Sequence, residues 1–247
     1  MVLTLALALG AGMALVPEPP VQAIGRSSQV HITPLRLGSV ALPWRDGLAG
    51  LVITMRRRTN VNMSSDTAPL TPRSKQLGDR PLLWTTAKGA LPRLDAVQVA
   101  RLRRHLTRGG TWVLDGPTAP SARAAFLASA RRIAARLFPR RKLDALTVSH
   151  TVFKSFYLLR PSRLARLSGP VLGVIRDQRA VLLVVHGVAE AAHGDPSGWV
   201  REQMARLAVN LVLYALCVDY KSDQVHAPAI LQRRQFRPGG SSGSPTP

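Results

Sequence analysis

The feature that most constrains this chain is a helix–stop–strand–helix unit between residues 94 and 138. In 94–108, Ala96, Val99, Leu102 and Leu106 recur at helical spacing, and Gln98, Arg101, Arg104 and Arg108 fall opposite them. That pattern predicts an amphipathic helix. Gly109-Gly110 ends it, as a left-handed cap does, and 111–114 (TWVL) reads as a β run ending at Asp115. A second amphipathic helix is expected over 121–138, with Phe126, Ala130, Ile133 and Leu137 inward and Arg123, Arg131, Arg132 and Arg136 outward, stopped by Pro139.

The same alternation extends through the chain. Residues 30–37 read as a strand interrupted by Pro34, 44–55 as a helix and 82–86 (LLWTT) as a short strand. Two β runs, 171–175 and 180–185, are joined by Arg176-Asp177-Gln178-Arg179, which predicts a hairpin. A long helix over 199–218 should turn Met204, Leu207, Leu211 and Ala215 inward. Strands alternating with helices imply an α/β fold: three layers, a mainly parallel sheet with helices on both faces. In such sheets ligands bind beyond the carboxyl ends of the strands. Those ends are Thr85 and Thr86, Asp115 and Gly116, and His186 and Gly187.

Charge constrains the partners. Lys and Arg total 34 against 13 acids, a formal charge of +21. Only Lys75, Lys88, Lys142, Lys154 and Lys221 are lysines. We assign the arginine preference to a GC-rich coding sequence, but codon supply does not remove acids, so the net charge itself points to polyanions. The basic runs 56–58, 103–104, 131–132, 140–142 and 233–234 otherwise read as solvated faces. No P-loop, helix-turn-helix or aromatic RNA-binding signature accompanies them.

Residues 2–16 are almost all apolar, short of the roughly 20 that span a bilayer, and fit the apolar segment of a signal peptide. Pro17, Glu18, Pro19 and Pro20 follow, and Val21 and Ala23 occupy −3 and −1 of a cut after Ala23. The expectation is an exported protein with a leader over 1–23, a domain over 24–218, a basic extension over 219–238 and a disordered tail over 239–247. No Lys or Arg precedes the apolar run, so either the start lies upstream or the signal is atypical. The alternatives are an uncleaved inner-membrane anchor over 2–16 and, behind it, a core helix. The one cysteine, Cys217, rules out a disulfide framework and a multi-cysteine metal site.

Three segments carry a resemblance: LRRHLTRGGTWVLDG (102–116), LTVSHTVFKSFY (146–157) and NLVLYALCVDYKSDQVHAPAILQRRQ (210–235). Together they are similar to an uncharacterised bacterial family, a domain of unknown function with a class-I glutamine-amidotransferase-like fold. The most specific stretch here is Asp219-Tyr220-Lys221-Ser222-Asp223-Gln224-Val225-His226. The resemblance covers roughly residues 30–234. It implies a flavodoxin-like or amidotransferase-like three-layer fold and an extracytoplasmic or membrane-associated setting. It implies no reaction.

Amidotransfer needs a nucleophile on a sharp strand–helix turn. The turn here reads Leu114-Asp115-Gly116-Pro117-Thr118, without Cys or Ser, and Cys217, between Leu216 and Val218 on an apolar helix, reads as structural. That excludes glutamine amidotransferase activity. Asp115 is the acid to single out, though Asp-Gly is also an ordinary turn or cap pair. His186, Glu190, His193 and Asp195 lie close in sequence but match no reliable metal spacing. The segment His193-Gly194-Asp195-Pro196-Ser197-Gly198-Trp199 reads as a polar loop at a strand end. Asp115, Gly116, His186, His193, Asp195 and Trp199 are therefore the candidates to line a ligand cleft, with no metal, cofactor or catalytic residue assigned.

Three functions are consistent with this sequence. The first is a non-catalytic binding or scaffold domain of the cell envelope, whose partner is another envelope protein or an acidic polymer. The second is a hydrolase using carboxylate and histidine, with a metal if those side chains converge. The third is a polyanion-binding protein acting through arginines. Nucleic acid is not an expected partner of an exported chain.

Overall fold

The computed structural model describes residues 29–39, 42–194 and 198–224, with side chains described as far as residue 216. The expected leader over 1–23, the site candidate Asp195, the environment of Cys217, His226, and the extension and tail beyond Gln224 lie outside the described residues.

Six strands form one sheet in the order β1-β2-β3-β6-β5-β4. They are β1 (Ile32–Pro34), β2 (Leu82–Thr86), β3 (Thr111–Gly116), β4 (Asp144–Ala145), β5 (Leu172–Arg176) and β6 (Arg179–His186). β1, β2, β3 and β6 run parallel. β5 pairs antiparallel with β6, and β4 with β5. The expected hairpin is thus present. Its two central residues, Asp177 and Gln178, have φ of 50° and 65°, the signature of a type I′ turn, whose twist suits flanking strands.

The helices are α1 (Arg45–Arg58), α2 (Ala96–Thr107), α3 (Pro120–Leu137), α4 (Pro161–Ser168), α5 (Val188–His193) and α6 (Gly198–Gln224). α6 therefore runs past residue 218, where the apolar periodicity ends. β1 is shorter than its β run, because Pro34 has no N–H for the ladder and confines the strand to the sheet edge.

Strand alternation sorts the core into two layers. On one face Ile32, Leu82, Trp84, Val113, Leu183 and Val185 meet α1, α5 and α6. On the other Leu83, Trp112, Leu114, Leu182 and Val184 meet α2 and α3. The inward stripe of α3 is buried as its period requires, and α2 buries Val99, Leu102 and Leu106 together with His105. Ala96, expected inward, is exposed in the first turn. α2 begins with a capping box in which Asp95 accepts from the Gln98 N–H and Gln98 reaches back to the Asp95 N–H.

Besides the core packing of Val152 and Phe153, one buried side chain ties the segment between β4 and α4 to α6. Asn210 of α6 accepts from the Tyr157 N–H (2.8 Å) and donates to the Val152 and Tyr157 carbonyls (2.8 and 2.9 Å). It is fully buried, so truncation strands three backbone groups away from water. Asn210→Ala is expected to lower unfolding stability by about 2–3 kcal/mol in urea denaturation. An unchanged midpoint would show that the segment is held by something else.

Candidate functional site

The carboxyl ends of the parallel strands are where this fold class keeps its ligands, and three of the six candidates, Asp115, Gly116 and His186, lie there. Asp115 and Gly116 close β3, and His186 closes the adjacent β6. In register, Asp115 is opposite Val185, and Gly116 is opposite His186. That offset by one residue sends the two titratable side chains to opposite faces of the sheet.

Asp115 faces α1, α5 and α6. It is completely buried, and its carboxylate accepts three hydrogen bonds. They come from the Val188 N–H (3.1 Å), the Ala189 N–H (2.7 Å) and the Trp84 indole (3.3 Å). Val188 and Ala189 are the first residues of α5, entered through Gly187 at φ 74°, so Asp115 supplies the cap that the chain's own Ncap glycine cannot. Burial pushes its carboxyl up to about 6, against the pull of the Ala189 and Val188 N–H groups and the indole.

His186 faces α3. Its ring meets Phe126 edge-on at 5.5 Å, and Nδ1 has no partner among the described residues. Burial, reinforced by the Arg123 guanidinium, depresses it to about 4, so the ring is neutral at physiological pH. Gly116 is small because Phe126 covers it: a Cβ there would lie 2.4 Å from the Phe126 ring.

The turn after β3 is closed. The Glu190 carboxylate accepts from the Thr118 hydroxyl (3.1 Å) and N–H (3.4 Å). Arg123, expected on the outer face of its helix, instead turns in and donates to the Thr118 carbonyl. Thr118 therefore stands where a nucleophile-bearing turn would be, with its hydroxyl tied to a carboxylate. At the end of β2, Thr85 donates to the Leu35 carbonyl (2.8 Å) and Thr86 to that of Pro43. They border a largely apolar cavity of about 370 Å³ that also takes in Leu37, Pro43, Lys88 and Leu91.

The expected loop over 193–199 is mostly helical at its ends. His193 is the last residue of α5 and exposed, and Trp199 is the second residue of α6. Trp199 is half exposed, with the Arg163 guanidinium 5.8 Å from its ring centre. Asp115, His186, His193 and Trp199 therefore do not converge. No group of three or more His, Cys, Asp or Glu side chains able to hold a metal occurs among the described residues.

The larger cavity lies at the opposite end of the sheet, beside the amino ends of β2 and β3. It measures about 590 Å³, and its lining includes Lys75, Asp79, Arg101, Arg104, His105 and Arg108. By periodicity alone those arginines form a solvated helix face. Their spacing along α2 puts them on one side, but the wall that makes a cavity of them, the 3-10 turn Lys75–Asp79, carries no periodic signal.

Topology and strand ends define a mainly parallel, three-layer α/β domain of the flavodoxin-like class. The chain belongs to the family described as Domain of unknown function (DUF4159), whose model matches residues 31–216. No curated protein matches it.

The titrations of the buried acid and the two buried histidines oppose one another. Asp115 is raised from 3.8 to about 6, so its contribution to stability is full below 3.8 and lost as pH rises through about 6. His186 and His105 are lowered from 6.5 to about 4, so theirs is full above 6.5 and lost as pH falls through about 4. Urea denaturation from pH 6.5 to 4 should therefore show a net loss of stability on acidification. That loss should be steeper in Asp115→Asn and shallower in His186→Phe. Parallel curves for all three proteins would refute this assignment.

Proposed function

We propose that this chain is an exported, non-catalytic binding domain of the bacterial cell envelope, built on a class-I amidotransferase-like scaffold, whose partner is an acidic polymer. One observation carries the reading. The strand-end carboxylates suited to acid–base chemistry are hydrogen-bonded within the fold and His186 is buried against Phe126, while the cations far outnumber the acids that could pair with them. Asp115 holds α5, Glu190 holds Thr118, and His186 packs against Phe126 on the far side of the sheet. The chain meanwhile carries 34 basic residues against 13 acidic ones, and its larger cavity is lined by cations. A surface of this sign draws polyanions by releasing their counterions.

Export rests on the apolar run over 2–16 and the small residues before Ile24. No helix among the described residues is long and apolar enough to cross a membrane.

Two measurements test the proposal. Binding of the purified protein to polyglycerol phosphate should weaken steeply and log-linearly with salt, whereas a neutral polysaccharide of similar length should not bind. Salt-independent binding, or none at low salt, would overturn the polyanion reading. Mass spectrometry of the protein from its host should find Ile24 as the first residue. A membrane-bound chain retaining residues 2–16 would replace the cleaved leader with an anchor.

A further inference from the structure

We propose that the cavity beside the amino ends of β2 and β3 is a phosphate-binding site, taking a phosphorylated molecule of sugar-phosphate size or one repeat of a phosphate-bearing polymer. The inference rests on the polyanion reading above and gives it a location.

Three arginines of α2 and its C-cap stand on one side of the cavity at i, i+3 and i+7: Arg101, Arg104 and Arg108. Lys75 faces them from the 3-10 turn, and Asp79 is the one acid in the lining. The balance favours a multiply charged anion over a single carboxylate. The cavity, about 590 Å³, lies in the range of small-molecule sites and is larger than a bare phosphate needs.

The plainer explanation is that cations gather at the end of α2 to neutralise its exposed carbonyls. Arg179 already does this. It donates to the carbonyls of Leu106, Gly109 and Gly110 from the neighbouring strand. Neither the Arg104 nor the Arg108 guanidinium has a hydrogen bond or ion pair among the described residues. Both are exposed, and like charges at i, i+4 weaken a helix. A bound phosphoryl group would turn that repulsion into shared attraction, with the planar guanidinium forks matching its oxygens. Arg101 is pre-oriented, since it donates to the Arg73 carbonyl at 2.6 Å.

The floor is built for shape. His105 is 7% exposed, and its ring lies against Gly110, where a Cβ would come within 2.1 Å of Nε2. Nε2 has no partner among the described residues.

The test is calorimetry with inorganic pyrophosphate and, separately, polyglycerol phosphate, at about 150 mM salt where long-range attraction is screened. The pair Arg104→Ser/Arg108→Ser is compared with Arg140→Ser/Arg141→Ser, which removes equal charge from a loop outside the cavity. Loss of two charge-assisted contacts predicts at least about tenfold weaker binding in the cavity variant and less than about twofold change in the control. A loss confined to pyrophosphate identifies a free phosphorylated compound as the ligand, and a loss confined to the polymer identifies the polymer repeat. Equal weakening by both variants overturns the site but leaves the polyanion reading standing. No binding of either probe by the unaltered protein, at this or at low salt, overturns both.

Discussion

The carboxylate of Asp115 is the interaction on which the rest of this structure depends. It sits at the end of a central strand, without solvent, and is satisfied by two backbone N–H groups of α5 and one indole. Through those bonds the sheet fixes where the chain leaves β6 and how it turns into α5. α1 then packs onto α5 so closely that a Cβ at Gly47 would lie 2.0 Å from the Ala189 carbonyl oxygen. Strand, short helix and long helix are thus stacked by one charge and one absent side chain. The same arrangement removes from the strand ends the acid most suited to chemistry there.

The consequence is a division between the two ends of the sheet. At the carboxyl ends Asp115, Glu190 and the threonines are paired internally, His186 is buried, and the neighbouring cavity is mainly apolar. At the amino ends a cluster of cations is left exposed around the larger cavity. Flavodoxin-like domains usually keep ligands at the former end, so the usual ligand position of the fold class and this chain's available charge do not coincide. Function in such folds lies in the particular site rather than in the topology.

Much of the architecture was legible because its signals are local. The Val99, Leu102, Leu106 stripe and the Phe126, Ala130, Ile133, Leu137 stripe mark α2 and α3, and Asp177-Gln178 between two apolar runs marks the hairpin. Two-residue β4 was not legible, since both its residues are exposed and carry no pattern. The site was harder to read for a related reason. The backbone donors that reach Asp115 lie 73 and 74 residues downstream, and the Thr118–Glu190 pair is separated by 72. Local sequence could say that Asp-Gly suits a cap, but not which helix it caps. Nor could it say that neighbouring strand ends would differ by one residue in phase, which puts Asp115 and His186 on opposite faces. Arg123 shows the limit of helical periodicity near a helix start, where a long side chain bends back to a carbonyl of the preceding turn.

Both borders of the sheet are short, and β1 is covered as well. Val30 pairs with the backbone of Asn62 and Ser64, and Pro34 and Arg36 pair with Leu70, so a stretch of loop is laid along it. β4 offers two residues on the other side. A sheet closed in this way gives a foreign strand little to pair with. A strongly cationic chain closed in this way would resist edge-to-edge aggregation even where counterions have screened the repulsion that otherwise keeps its copies apart.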